Sequence, residues 1–215
     1  MGKENTMANQ AYKEIKNKIV FCEIKPGEQI DVKDLTNKLG FNSITPVREA
    51  LLLLYNEKLV NIVPRKGMFV SDISIDDVFD NYQLREIIEP TTFAVTALNV
   101  PEEIIKNYYS LFKSYETGNE AFDLSKYLQV DMEFHIDLLK PIRNKNLHNI
   151  LRDIYEQNAR YRMACLKMRD ASMMINEHLA ILDAIADRDA ERAVACLKQH
   201  IYNSKMAFYS NKHTF

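Results

Sequence analysis

Near the start of the chain, apolar residues recur every three to four positions, the spacing of one face of a helix. This spacing predicts helices at 11–21, 33–39 and 45–56. We expect Thr45 to cap the third helix, because Pro46 then takes the first helical position, where its missing N–H costs nothing. The connections between the three predicted helices are short.

Beyond the third helix the pattern changes to short runs of strand-forming residues. Residues 59–63 and 68–70 are predicted strands, and the basic segment 64–67 (Pro-Arg-Lys-Gly) joins them as a hairpin. A helix, a helix–turn–helix and a two-stranded wing, in that order, form a known DNA-reading architecture. A small α+β domain without DNA-binding function is the alternative.

From residue 75 onward the pattern predicts only long helices, separated by Pro, Gly, Asn or Asp at each break. The predicted spans are 75–98, 101–116, 121–140, 144–168, 171–187 and 189–208. The predicted fold is therefore mainly α. A winged helix-turn-helix domain at 1–74 precedes an all-α antiparallel helical bundle at 75–215.

Two polar residues interrupt the apolar face of the predicted helix 121–140. Leu128 and Leu138 lie on a face that also includes Asp131 and His135, one turn apart. Burying a carboxylate and an imidazole costs free energy unless both find partners.

The two last helices repeat this arrangement with one imidazole each, His178 and His200. The predicted turn between these helices lies near Asp189, midway between the two histidines in sequence. In an antiparallel hairpin, residues equidistant from the turn lie at the same height. We therefore expect the two rings to face one another.

Three inward imidazoles and one inward carboxylate are the ligand types of a divalent transition-metal site. Zinc, nickel, iron or copper would suit the imidazoles, and the carboxylate also admits manganese. Four protein ligands leave a coordination position for water or a small anion. Each residue alone has an ordinary alternative: a hydrogen-bonded core position for a histidine, and a pair with a neighbouring Arg for Asp131. The other two histidines lie off these faces, His148 in a predicted solvated position and His213 in the tail.

Composition narrows the class of protein. The chain of 215 residues is 47% hydrophobic and 27% charged, and its three cysteines are too widely spaced for a disulfide framework or a Cys-x-x-Cys metal site. It has no apolar run long enough for a bilayer and no apolar stretch near Met1 typical of a signal peptide, so we expect a cytoplasmic protein without membrane contact. Residues 1–75 carry 11 basic and 9 acidic side chains, against 17 and 21 in 76–215, which weakly favours a nucleic-acid-binding N-terminal domain.

Several motifs resemble those of one family of transcription regulators. Residues 24–30 (IKPGEQI), 45–51 (TPVREAL) and 67–70 (GMFV) resemble the winged head of the GntR regulators. The helical body is similar to the FCD ligand-binding domain of the FadR-type subfamily, through Asp131-x-x-x-His135 and Glu177-His178 among other residues.

The resemblance implies a homodimeric bacterial regulator that binds an inverted-repeat DNA operator and senses a small metabolite. The positions of the family's metal ligands are the same four residues that the helical pattern selects. The resemblance also implies a small carboxylate effector at the metal. Arg85 matches a common anion-binding position and would hold the carboxylate by two hydrogen bonds; its alternative is an ion pair with Glu89, four residues on.

The DNA contacts implied by the resemblance begin with Arg48, which would reach a base edge or phosphate from the recognition helix. The other implied contacts are phosphate contacts and the wing: Lys33, Ser43, Thr45, Arg65, Lys66 and Gly67. The chain departs from the family at Ile44, where an arginine that reaches the DNA usually precedes Thr-Pro.

Three alternatives to a metal-dependent sensor remain open. A metal-dependent hydrolase would use the ion to activate water, but no further carboxylate has the spacing of a general base, so we expect no enzymatic activity. A metal-free body would hold an acyl or lipid-type effector in an apolar cavity. A purely structural ion would close the bundle without any effector.

Overall fold

The computed structural model describes residues 6–116, 123–165 and 170–211. The chain divides into two compact units, Met1–Ser74 and Ile75–Phe215. Mainly helical structure with a small antiparallel sheet in the first unit agrees with the predicted fold class. Among the described residues no helix has both the length and the hydropathy needed to cross a membrane.

The first unit contains a helix–turn–helix followed by a β-hairpin. The order of its described elements is α1 (Met7–Val20), β1 (Gln29–Ile30), α2 (Val32–Lys38), α3 (Ile44–Asn56), β2 (Val60–Val63) and β3 (Gly67–Val70). Helix α1 packs across α3, and Ile15, Ile19, Leu51 and Leu54 are completely buried between them. This apolar core fixes the orientation of α3, the predicted recognition helix.

Helix α3 begins at Ile44, two residues before the start at Pro46 that a Thr45 cap implies. Its N-cap is Ser43, not Thr45: the Ser43 backbone is extended, and its hydroxyl accepts a hydrogen bond from the N–H of Thr45 at 3.3 Å. Ile44 is therefore the first helical residue, and Pro46 still lies in the first turn, where no hydrogen-bond donor is required. The prediction of a Thr45 cap was wrong because serine two residues upstream meets the same chemical requirement.

The sheet has three strands where the sequence predicts two. The order is β1-β3-β2, all antiparallel, with Val60 opposite Val70 and Val63 opposite Gly67. The additional strand β1 has only two residues, too few to show an alternating pattern, and it pairs Gln29 with Phe69. It ties the start of the helix–turn–helix to the wing.

The second unit is a bundle of helices. Its described helices are α4 (Ile75–Thr96), a 3-10 turn (Ala97–Asn99), α5 (Glu102–Glu116), α6 (Leu124–Leu138), α7 (Lys145–Cys165), α8 (Ala171–Ala186) and α9 (Ala190–Asn211). Helix α8 packs along α9, α4 lies against α9 and α7, α6 lies against α7, and α5 against α8. The predicted helix ends at 121 and 168 lie outside the described residues.

The turn between α8 and α9 lies where the sequence predicts it. Asp187 caps the end of α8, Arg188 takes a left-handed conformation with φ +58°, and Asp189 accepts a hydrogen bond from the N–H of Arg192 at 3.0 Å. This short turn makes α8 and α9 an antiparallel hairpin and brings their buried faces together.

Candidate metal centre and nucleic-acid interface

The four polar residues on the apolar helix faces lie together inside the helical bundle. Asp131 and His135 come from α6, His178 from α8 and His200 from α9, and each is at most 4% exposed. One ligand atom from each lies within 4.8 Å of the other three. Two of them share a face of α6 because they are four residues apart, and the α8–α9 hairpin supplies the other two.

The spacing of these atoms suits a single ion. His178 Nε2 lies 3.1 Å from Asp131 Oδ1, and His135 Nε2 lies 3.3 Å from His200 Nε2. Ligand atoms at about 2.1 Å from a metal are separated by roughly 3–4 Å. The side chains would therefore need only small movements to share an ion.

Each imidazole is held from outside by its other nitrogen. His135 Nδ1 lies 3.0 Å from Glu89 Oε2, and His200 Nδ1 lies 3.0 Å from Glu177 Oε2. His178 Nδ1 lies 3.0 Å from the hydroxyl of Tyr127. Outer partners of this kind fix the ring orientation and the tautomer of metal-binding histidines.

These outer contacts leave His135 and His200 facing each other with no hydrogen-bond donor between them. A carboxylate only accepts hydrogen bonds, so an imidazole that donates from Nδ1 to a carboxylate has, in its neutral form, a lone pair on Nε2. His135 and His200 both place Nδ1 against a carboxylate and direct Nε2 at each other. The Nε2 of His178 is also fully buried, and it lies 3.1 Å from Asp131 Oδ1. Lone pairs that converge without a donor fit a cation between them.

Burial also keeps two of the imidazoles neutral. Burial lowers the pKa of His200 to about 3, helped by the nearby His178 ring, and it lowers the pKa of His178 as well. Although burial alone would raise the pKa of Asp131, the His178 ring and the charge of Arg162 hold that pKa well below its usual range. Neutral imidazole and ionised carboxylate are the forms that bind metal ions.

Asp131 and Arg85, the predicted effector residue, belong to two separate ion pairs. The second oxygen of Asp131 is 3.4 Å from Arg162 Nη1. Arg85 is buried and pairs with Glu89 at 2.6 Å, and its Nη2 lies 2.6 Å from the Tyr155 hydroxyl. This is the ion pair that the sequence left as the alternative for Arg85, so an effector-binding role for Arg85 stays a prediction.

The other two histidines lie apart from the centre. His148 is half-buried, not solvated as predicted, and its Nε2 lies 3.2 Å from the carbonyl oxygen of Leu139. It is held by the end of α6 and has no ligand group of the cluster beside it in the described residues. His213 lies outside the described residues.

All seven predicted DNA contacts lie on the surface of the first unit. Lys33 is on α2; Ser43, Thr45 and Arg48 are at the start of α3; Arg65, Lys66 and Gly67 form the tip of the wing; all are exposed. None of these cationic side chains takes part in a salt bridge within residues 6–116. Exposed, unpaired cations at a recognition helix and a wing suit contacts with phosphates.

The sequence did not reveal the residues that support the buried cluster and the DNA-binding surface. Glu89 on α4 and Tyr127 on α6 hold histidines of the buried cluster. Gln29 donates to the backbone carbonyl of Lys66 at 2.9 Å and so fixes the wing tip. The one available signal was local: Glu89 lies one turn after Arg85, and Glu177 directly precedes His178. Nothing in the sequence pairs residues as distant as Tyr127 and His178.

The comparisons with known proteins cover nearly the whole chain. Residues 7–70 match the family described as "Bacterial regulatory proteins, gntR family", and residues 80–203 match the FCD domain. The regulator BphR of Paraburkholderia xenovorans is 27% identical over 93% of this chain and 84% of its own length. The Nta operon transcriptional regulator of Aminobacter aminovorans is 28% identical over 85% of both chains, and the Escherichia coli repressor RspR is 26% identical over 89% and 84%.

Solved structures show the same fold. Escherichia coli McbR/YncC superimposes with a TM-score of 0.82 at 20% identity, covering 96% of this chain and 98% of that one. A GntR regulator from Rhodococcus gives a TM-score of 0.76 at 19% identity, covering 94% and 97%. With both of its parts matched, this chain belongs to the GntR family of bacterial DNA-binding transcriptional regulators and carries an FCD domain after its winged head.

Proposed function

We propose that this chain is a homodimeric regulator whose helical domain binds a divalent transition metal and a small carboxylate effector, which together modulate operator binding. The observation that carries the proposal is the convergence of Asp131, His135, His178 and His200 at one buried point. Zinc, nickel and manganese are the candidate ions. Because an operator is bound where the bacterial chromosome lies, the proposal places the chain in the cytoplasm.

The charge around the cluster supports an anionic effector. Among the described residues, three carboxylates (Glu89, Asp131 and Glu177) and two guanidinium groups (Arg85 and Arg162) belong to the cluster or contact its members and their partners. With neutral imidazoles these groups carry a net charge of −1, and a divalent cation would change it to +1. A monocarboxylate would remove that excess, which a buried site strongly favours.

A bound ion would supply a positive centre that holds the carboxylate of the effector. The chain's own residues do the rest. Glu89, Glu177 and Tyr127 hold the three rings in place through Nδ1. Since the ligands belong to α6, α8 and α9, an effector that draws them together changes the relative position of three helices, and its coupling to DNA binding equals its difference in affinity for the two arrangements.

In the DNA-binding head, α3 would lie in the major groove with Arg48 toward a base edge or phosphate. Ser43 and Thr45 would contact phosphates at the start of that helix, with Lys33 on α2 beside them. Arg65, Lys66 and Gly67 would bring the wing over the backbone. Two heads in a homodimer would read an inverted repeat.

The alternatives fit the structure less well. The cavity beside Asp131 includes the charged side chains of Arg85 and Arg162 in its lining, and its volume of about 10 Å³ is no larger than one water molecule, which does not suit an acyl chain. The carboxylates of Glu89 and Glu177 are engaged by His135 and His200, so neither is placed as a general base for hydrolysis. The relatives are regulators, which supports a protein without enzymatic activity.

The metal is tested by titrating the EDTA-treated full chain with Ni²⁺ in a calorimeter. We expect one ion per chain, at least tenfold weaker binding in His200→Asn, and unchanged binding in the matched variant His148→Asn. Equal affinities in all three proteins would overturn the site. Unfolding of the helical domain on metal removal, without any response to carboxylates, would assign the ion a purely structural role.

DNA binding is tested by selecting bound sequences from a random duplex library. An enriched inverted repeat supports binding by a homodimer, and an asymmetric single site contradicts it. In gel shifts on the selected DNA at physiological salt, Arg48→Ala should weaken binding at least tenfold, while the exposed Arg143→Ala in the helical domain should not. The same gel shifts with metal and acetate then measure whether the anion changes the affinity.

A further inference from the structure

Helix α3 carries an aliphatic side chain that the DNA contacts proposed so far do not use. Ile44 is the first residue of this helix, directly after the cap at Ser43, and its side chain is half-buried. In the described part of the head, the partly buried apolar side chains that pack against the core do not include Ile44. The residue therefore adds little to the core, and its remaining apolar surface is available to a partner.

The position of Ile44 on α3 points it toward DNA. Ile44 and Arg48 are four residues apart, so their side chains leave the helix on the same side. Thr45 and Arg48 are both exposed, and the first turn of the helix has no acidic residue that would repel phosphates. In a helix–turn–helix, the N-terminal residues of the recognition helix are the ones that reach base edges in the major groove.

An aliphatic side chain at this position can recognise one group. It forms no hydrogen bond with a base, and it gains nothing beside a charged phosphate. The base edges in the major groove present hydrogen-bond donors, acceptors and a single apolar substituent, the C5 methyl of thymine. Isoleucine also has one strongly preferred χ1 rotamer in a helix, so it loses little freedom when it makes such a contact.

We propose that Ile44 is a specificity-determining residue that contacts the C5 methyl of a thymine in each operator half-site, beside the contact made by Arg48. This inference rests on the proposed placement of α3 in the major groove, and it names a base of the operator. Cytosine has a hydrogen atom in place of the methyl group, and both purines present only polar groups in the major groove.

Deoxyuridine isolates the methyl group, because it pairs with adenine as thymine does but lacks the C5 methyl. In the DNA selected from the random library, each thymine is replaced by deoxyuridine, one position at a time. In gel shifts with the full chain, one of these replacements should weaken wild-type binding about fourfold, the factor expected for burying one methyl group. Replacement at the equivalent positions of both half-sites should weaken it about fifteenfold.

Two variants assign the methyl contact to Ile44. Ile44→Ala should bind thymine and deoxyuridine DNA equally, at about the affinity of wild type for the deoxyuridine DNA. Leu53→Ala is the matched control and should keep the wild-type discrimination, since Leu53 is 43% exposed and lies nine residues on, on the opposite face of α3. With cytosine at the same position, a 5-methyl group should restore about fourfold in wild type and nothing in Ile44→Ala.

The outcomes separate this inference from the proposed placement of α3. Equal binding of thymine and deoxyuridine DNA at every position, while Arg48→Ala still weakens binding, would overturn the role of Ile44 and leave α3 in the groove. A deoxyuridine penalty of the same size in Ile44→Ala would also overturn it. If Arg48→Ala binds as tightly as wild type, the placement of α3 and this inference fail together. An unchanged urea midpoint of the head would show that Ile44→Ala folds, as its position outside the core predicts.

Discussion

The buried ion pair between Arg85 and Glu89 should dominate the stability of the helical domain. Glu89 is 1% exposed and contacts Arg85 at 2.6 Å, Tyr155 at 2.8 Å and His135 at 3.0 Å. Glu89→Gln would leave a buried guanidinium without its counter-charge. Breaking a buried pair in this way costs about 3–5 kcal/mol of unfolding free energy.

The pKa of Glu89 gives a second value for the free energy by which this ion pair stabilises the helical domain. Burial alone would raise this pKa, but Arg85, assisted by His135, lowers it from 4.5 to about 2. A shift of this size corresponds to about 3 kcal/mol, in agreement with the first figure. Because the pKa is lowered in the folded state, the stabilisation is complete above pH 4.5 and disappears as the pH falls toward 2. At pH 3 about 2 kcal/mol of it should be gone.

Urea unfolding of the EDTA-treated chain measures both effects, with the transition of the helical domain assigned by hydrogen exchange in α6. Glu89→Gln should lower the unfolding free energy by about 3–5 kcal/mol at pH 7 and by about 2 kcal/mol less at pH 3. The control is Glu102→Gln, which breaks an exposed pair with Lys106 at the same helical spacing and should have no measurable effect. A loss below 1 kcal/mol, or one that is the same at both pH values, would refute the reasoning.

Three further predictions concern the caps, the wing and the metal. Ser43→Ala removes the N-cap of α3 and should lower the unfolding free energy of the head by about 1 kcal/mol in urea. An unchanged unfolding free energy would show that Ser43 does not cap α3. Gly67→Ala should cost about 1–2 kcal/mol and speed amide exchange in β3, because φ is +116° there and the new Cβ would lie 3.2 Å from Gln29 Nε2. Ni²⁺ at a hundred times its Kd should add about 2.7 kcal/mol to the helical domain, an increment that His200→Asn should abolish.

Arg85 and Arg162 show why sequence alone does not determine which guanidinium is available to an anion. Arg85 matches the anion-binding position of the family, yet its closest neighbour is a carboxylate on its own helix. Arg162 has no motif to mark it, but it lies at the cavity with weak contacts. The availability of a guanidinium depends on its competing partners, and those partners come from helices far apart in the sequence.

The sequence by itself determined the helices, the order of the two units and the identity of the four inward polar residues. These properties follow from local spacing: Asp131 and His135 share a face because they are four residues apart, and the turn at Asp189 sets His178 against His200. The family motifs were readable for the same reason, since they are short and contiguous.

Only the tertiary structure decided what surrounds those residues. The outer partners Glu89 and Tyr127 and the two-residue strand β1 depend on packing between elements that local spacing does not relate. Which nitrogen of each imidazole faces the centre also depends on these partners, because a carboxylate or hydroxyl at Nδ1 leaves Nε2 toward the centre. Local periodicity selects the residues that point inward, and long-range packing determines what they meet there.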